Sequence, residues 1–399
     1  MRKYLVMLLV LGAPLSARAQ SEGGPPPNVR MRIGPLFINP TIALSNAGTD
    51  TNVFNEATNP KSDFTVTITP ATDIWLRFGP TWFQSSIKED IVWFQKYASE
   101  RSANNGYNLS WLIPLSRFTF VPKWTYLNTR ERPGFEIDTR AQRTEVGYSG
   151  SADIRVFLKT SIGVQLSLTT TAFDGSAQFL GVNLHDELNR TVTSEAVNIK
   201  HQLTPLTSIT LSASREQDRF AFDALRNSDS TALTAGIKFD AAALIKGSAS
   251  FGFQDFKPAS PDLFGYQGST AAVDLSYVLL GMTKFSVTFN RDIAYSYDIN
   301  QPYYVQTGGG ASIGQQLFGP LDIVARGSLA RLDYRDRLGA IVAVSNRIDH
   351  TQGFGAGIGY HLGRDTRFGF NVDQSRRISG VQARQYKGLT YGFAVTYGS

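Results

Sequence analysis

The sequence predicts an all-β fold, a transmembrane antiparallel up-and-down β-barrel of about 18 strands with short periplasmic turns and longer extracellular loops. Three observations carry this. From about residue 36 to the end, stretches alternate apolar and polar residues, as in Tyr391, Phe393, Val395 and Tyr397 with Thr390, Gly392, Ala394 and Thr396 between them. Side chains of a strand alternate faces, so such a sheet has one apolar and one polar side. The polar side is built mostly from Gly, Ser, Thr, Ala, Asn and Gln, which suits a watery interior and a hydrocarbon exterior rather than a soluble core. Finally, tight turns and long polar loops alternate strictly along the chain.

The amino terminus reads as a secretory signal over residues 1–19. Arg2 and Lys3 precede an apolar run from Leu5 to Gly12, and the small residues Ala17 and Ala19 mark cleavage before Gln20. That run is short of the roughly 20 apolar residues that a spanning helix needs. Residues 20–34, with Gly23-Gly24 and Pro25-Pro26-Pro27, form a periplasmic tether, and residues 35–399 form one barrel domain.

Turn residues place tight connections at Gly79-Pro80, Pro114 to Arg117, Phe157 to Lys159, Thr204 to Leu206, Ala241 to Ala243, Leu280-Gly281, Gly319-Pro320 and Gly363 to Asp365. Longer polar loops fall near 46–62, 98–106, 131–141, 174–187, 222–229, 257–266, 298–302, 336–346 and 379–383. Eight turns and nine loops join eighteen strands and leave both termini at the short-turn end; other boundaries before residue 100 would give sixteen. Ile162, Val164, Leu166 and Leu168 exemplify an outward row, as do Phe354, Ala356, Ile358 and Tyr360 set between glycines. Trp82, Trp93, Trp111, Trp124, Tyr126, Tyr148, Tyr277, Tyr295, Tyr297 and Tyr397 are expected to form interfacial girdles. By the same parity Glu89 and Arg291 face lipid, so either a local bulge reverses them or both lie near an interface.

The chain has 12% aromatic and only 18% charged residues, against about 25% charged in globular proteins. The lack of Cys excludes disulfide scaffolds and thiolate metal sites. A net charge of +6 without a Lys/Arg block gives no indication of a nucleic-acid partner, and neither cofactor nor metal is expected.

The last strand resembles the carboxyl-terminal signal read by the outer-membrane insertion machinery, with Gly392, Val395 and the aromatic Tyr397 in the expected places, although Gly398-Ser399 follow. A second resemblance lies in Gly34-Pro35-Leu36-Phe37-Ile38-Asn39-Pro40, Asp50-Thr51-Asn52-Val53-Phe54, Ser62-Asp63-Phe64 and Pro70, which together look like the putative beta-barrel porin 2 family. That resemblance implies an outer-membrane barrel and brings no substrate or catalytic residue with it. Asp50 and Asn52 are read as turn formers rather than as a cation site.

Alternation assigns Lys88, Lys96, Lys123, Arg155, Lys200, Lys238, Lys284, Arg326 and Arg367 to the lumen, with Asp90, Glu145, Asp153, Glu216, Asp218, Asp240, Asp274, Asp292, Asp322 and Asp373. The two sets nearly balance, so no strong ion selectivity is inferred. A barrel of this size encloses an aqueous lumen unless something fills it, and loops 46–62 and 174–187 are the candidates to fold inward. The expected function is a porin-like channel for passive passage of small hydrophilic solutes. The alternative is a conduit for exopolysaccharide export with periplasmic partners; a barrel-wall hydrolase around Ser345, Asp349 and His350 is the third, because Asp349 and His350 would face opposite ways. Expected partners are outer-membrane lipid, the insertion machinery during assembly, the solute or polysaccharide and, still open, two further copies in a homotrimer.

Overall fold

A computed structural model describes residues 24–26, 29–240 and 243–398. The signal sequence with Ala17 and Ala19, part of the tether and residues 241–242 of one turn lie outside the described residues.

The long strands begin with β2 (Leu36–Asp50), preceded by the three-residue β1 (Met31–Ile33) that pairs only with it. Then follow β3 (Asp63–Phe78), β4 (Thr81–Phe94), β5 (Ser102–Leu115), β6 (Phe118–Glu131), β7 (Ala141–Phe157) and β8 (Thr160–Phe173). The loop after β8 holds a two-residue hairpin, β9 (Gln178–Phe179) with β10 (Val182–Asn183), and the helix α1 (Leu184–Leu188). The wall continues with β11 (Arg190–Thr204), β12 (Thr207–Phe220), β13 (Ser228–Phe239), β14 (Ile245–Pro258), β15 (Tyr266–Leu279) and β16 (Thr283–Tyr295). It is completed by β17 (Tyr303–Gln316), β18 (Leu321–Arg335), β19 (Ile348–Leu362), β20 (Thr366–Ile378) and β21 (Tyr386–Tyr397). Each long strand pairs antiparallel with its chain neighbours, β8 pairs β11, and β21 pairs back onto β2. The sheet of 19 strands less the short β1 is thus a closed ring of 18, the count expected from the turns.

Closure satisfies the main-chain groups of what would otherwise be two sheet edges. At the seam β2 bulges between Leu44 and Ala47, with Asn46 in the left-handed region at φ 53°. Beyond the bulge Gly48 pairs with Gly392, and a Cβ on Gly48 would lie 2.0 Å from the Tyr391 carbonyl oxygen. The seam therefore needs glycine at this point, which gives Gly392 a structural role besides any part in a sorting signal. The bulge corrects the expected start of the first loop: Asn46 to Asp50 belong to the strand, and the loop is 51–62. Likewise β5 starts at Ser102, because Ala103 and Asn105 pair with Ile91 and Glu89; the polar run looked like loop only because its side chains are small.

Both ends of the described chain meet the short-turn end: Gly398 N donates to Asp365 O at 2.9 Å, and Arg30 bonds Asp365 Oδ1 at 2.7 Å. The exposed apolar residues occupy alternate positions, such as Leu166 61%, Phe251 64% and Phe393 64% exposed, so one continuous face is apolar around the ring. The aromatic girdle is only partly as expected. Trp93, Trp111, Tyr148 and Tyr397 are exposed, whereas Tyr295 and Tyr297 pack into a buried cluster with Phe179 and Phe220. Trp82 shares the parity of Lys88 and Asp90, so it lies on the opposite face from Phe83.

No bulge reverses Glu89 or Arg291, since the pairing of β4 with β5 and of β16 with β17 runs through them without a shift and that of β16 with β15 reaches Arg291 in register. Each stands eight residues up its strand from Thr81 or Thr283, about 20 Å at ~3.4 Å per residue and a tilt of about 40°. Both are satisfied on the outer face. Tyr107 Oη donates to Glu89 Oε1 at 2.6 Å, while Arg291 donates to Ser269 O, Thr307 Oγ1 and Tyr266 Oη.

Candidate functional site

The other face of the wall carries the charges. The twelve wall residues Lys88, Asp90, Lys123, Glu145, Arg155, Lys200, Lys238, Asp274, Asp292, Arg326, Arg367 and Asp373 all have the parity opposite to the exposed apolar rows of their strands. Two of the other expected lumen residues do not stand on the wall: Lys96 follows the end of β4 and donates to Ser62 O, and Asp240 follows the end of β13 in a turn. Both lie beyond the ends of their strands, where alternation no longer assigns a face.

The structure draws some of these charges together. Lys88 pairs with Asp90 at 2.8 Å, and Thr69 Oγ1 donates to Asp90 at 2.6 Å. Glu145 accepts from the buried Arg143 at 2.8 Å. On β18 and β20, Arg326 grips Asp373 through Nε at 2.7 Å and Nη2 at 2.5 Å, and Arg367 grips Asp322 at 2.7 and 2.6 Å. His361 Nε2 lies 2.7 Å from the same Asp322. Lys123, Arg155 and Asp274 stand apart from these pairs.

Both Arg–Asp bridges span the strand between them. Gly355 and Gly359 of β19 pair with residues of β18 and β20 on either side, and their missing side chains leave the groove in which the bridges lie. A Cβ on Gly355 would fall 1.9 Å from Asp373 Oδ1 and 2.7 Å from Arg326 Nε; one on Gly359 would fall 2.4 Å from Arg367 Nη2. Gly355→Val is expected to sever the first bridge and lower stability by about 1.5–3 kcal/mol, the range for hydrogen bonds to charged groups. The urea midpoint of the folded protein checks it, with Gly353→Val, which meets only the Ser328 hydroxyl, as the milder control.

At the end opposite the termini, loops fold into the ring. The loop 132–140 leaves β6, yet its tip reaches β20 and the loops on either side of the far wall. Arg377 on β20 donates to Phe135 O and Glu136 O, both at 2.9 Å, and to Asp349 Oδ2 at 2.6 Å. Arg384 also donates to Glu136 O. The Glu136 carboxylate accepts from Ser296 Oγ at 2.7 Å and from Tyr297 N at 3.2 Å, with Arg347 at 3.5 Å. Burial pushes this carboxyl up, against the opposing pull of Arg384, Ser296 and Arg347. A contact between residues so far apart around the ring passes through the lumen, which fixes the charged face as the inner one.

Two further loops add to the closure. In the loop 174–189, Asn183 caps α1 by accepting from His185 N at 3.0 Å, and Leu184, Leu188 and Phe179 pack with Ile137 and Tyr297. In the first loop Val53 is fully buried, and its carbonyl accepts from Arg132 at 2.7 Å and Arg140 at 3.0 Å. Asp50 Oδ1 accepts from Asn52 N at 2.9 Å, a turn contact as expected. Both candidate inward loops therefore do fold inward, but the one that crosses the lumen, 132–140, was missed. So were Glu136, Arg347 and Arg384, which lie in or beside loops where strand parity has no force, and Arg377, which shares the lumen-facing parity of Arg367 and Asp373 at the end of β20. Asp349 is fully buried against Arg377 and His350 is exposed, so the two do face opposite ways.

The loop 336–347 is tied by Asp336, which accepts from Gln301 at 2.6 Å, Ser345 Oγ at 2.5 Å and Asn346 N at 3.0 Å. Burial opposes its charge, but the bonds from Ser345, Gln301 and Asn346 outweigh burial and hold the carboxyl below the usual aspartate range. A lowered folded value stabilises the loop above the unfolded value of about 3.9, and that contribution is lost as pH falls through the folded one. Amide exchange in residues 336–347 is thus expected to speed up selectively below about pH 4, with Asp336→Asn removing the pH dependence.

A closed antiparallel ring with an apolar outside, a charged inside and loops folded into one mouth defines an outer-membrane pore protein. The putative beta-barrel porin 2 model matches residues 26–397, and the chain belongs to that family. A solved structure shares the fold, and others resemble it more loosely. A BenF-like porin from Pseudomonas fluorescens Pf-5 superposes with a TM-score of 0.50 at 10% identity, covering 92% of this chain and 98% of that one. OpdK from Pseudomonas aeruginosa with vanillate gives 0.48 at 8% identity over 90% and 98%. OccK2 (OpdF) from the same organism with glucuronate gives 0.47 at 9% identity over 90% and 97%. No curated protein matches the chain. Family and fold point to the bacterial outer membrane and to a channel rather than an enzyme.

Proposed function

We propose that this barrel passes small hydrophilic solutes passively and that loop 132–140 sets its aperture. The observation that carries this reading is the loop tip held across the lumen by Arg377 and Arg384. A polymer conduit is less well supported, because a polysaccharide would have to displace a buried, hydrogen-bonded Glu136. The twelve wall charges act here as braces and lining together, with Lys123, Arg155 and Asp274 free of the bridges and so the first to meet a solute. Export by the amino-terminal signal, insertion through Gly392, Val395 and Tyr397, and assembly as a trimer complete the proposal. Reconstitution in planar bilayers should give small ohmic steps, below those of an unobstructed barrel of this strand number; a folded but silent protein would refute the channel.

A further inference from the structure

We propose that the outer wall over β18 to β21 holds the phosphate of a membrane lipid. Arg331, Arg376 and Lys387 share the parity of the lipid-facing Leu329, Val372 and Leu389 on their strands, so all three point away from the lumen. Each stands ten residues up its strand, from Leu321, Thr366 or Tyr397 respectively. That is about 26 Å, the top of an apolar band about 25 Å tall, where headgroups begin.

The register makes the cluster compact and unbalanced. Arg376 pairs directly with Lys387 on one side and with Gln352 on the other. Like charges directly opposite on one face of a sheet repel. Among the described residues no carboxylate pairs with either of them. The only acid on this outward surface among the described residues, Asp333, is engaged by Arg335 at 2.9 Å and Arg331 at 3.6 Å. Two other cations of the outer rim are matched, Arg219 by Asp229 at 2.7 Å and Lys257 by Asp255 at 2.9 Å.

An anion between Arg376 and Lys387 resolves the repulsion, and its position selects its source. Directly below lie the exposed Phe354, Leu389 and Phe393, continuous with the lipid-facing belt. An occupant with phosphate above and acyl chains below fits both halves; a free anion would use only one. This rests on the outer face meeting lipid and not on what the lumen conducts, so a silent barrel that inserts in vesicles would leave it standing.

The test is native mass spectrometry of the whole protein in detergent with diphosphorylated lipid A, its dephosphorylated form and inorganic phosphate as probes. Wild type should retain the phosphorylated lipid, and Arg376→Gln/Lys387→Gln should lose about thirty-fold in affinity. Arg219→Gln/Lys257→Gln should bind like wild type. Equal retention by the first double variant, equal binding of the dephosphorylated lipid, or displacement by inorganic phosphate at the lipid's own concentration would each overturn the proposal. If that variant does not fold, wild type alone decides by whether it distinguishes the two lipids.

Discussion

Arg377→Met is expected to open the extracellular mouth. Arg377 is buried and donates to two carbonyls of loop 132–140 as well as to the fully buried Asp349. A methionine of similar reach fills the space but donates to none of these acceptors, and removing one partner of a buried pair costs about 3–5 kcal/mol. The cost falls on the closed position of the loop. In the barrel wall Arg377 is held by main-chain pairing with Thr351 and Tyr386, which the substitution keeps. Local opening is therefore favoured over global unfolding. Single-channel conductance should rise while the β-sheet circular-dichroism spectrum and heat-modifiable gel mobility stay those of wild type. Because Arg384 still reaches Glu136 O, the pair of changes Arg377→Met and Arg384→Met should open the mouth further. Unchanged conductance in the double variant would show that the loop does not set the aperture.

What the sequence revealed and what it hid divide along one physical line. Wall strands must alternate, because one side meets lipid and the other water, so the ring of strands and the parity of Arg326, Asp373 and their fellows could be read residue by residue. Turns were legible for the same reason: Gly79, Gly281, Gly319 and Gly363 all adopt positive φ, which favours glycine. Loops obey no such period. Phe135-Glu136-Ile137 reads as an ordinary polar loop after Pro133-Gly134, and its partners Arg377 and Arg384 lie more than 240 residues away. The glycine row of β19 was visible as alternation, yet its purpose was not, because the bridges that cross it join residues of two other strands. Asn46 hid the seam bulge by resembling the start of a loop.

Phe251→Arg is expected to be the most damaging change on the outer wall. Phe251 is 64% exposed and stands six residues up β14 from Ile245, about 15 Å into a band about 25 Å tall. Its cross-strand neighbours are Ala235 and Ala271, which offer a guanidinium no acceptor. An arginine near the midplane of a barrel costs roughly 2–4 kcal/mol, falling to about 0–1 near the interfaces. The chain already contains the comparison. Arg291 faces lipid about 5 Å higher by the same count, and there it finds Ser269 O, Thr307 Oγ1 and Tyr266 Oη. Depth and partners together separate the tolerated arginine from the costly one. Folding into phospholipid vesicles, followed by urea titration, should show the full loss for Phe251→Arg and under about 1.5 kcal/mol for Phe251→Leu, which keeps most of the apolar surface. If the two variants were equally stable, this face would not be in contact with acyl chains.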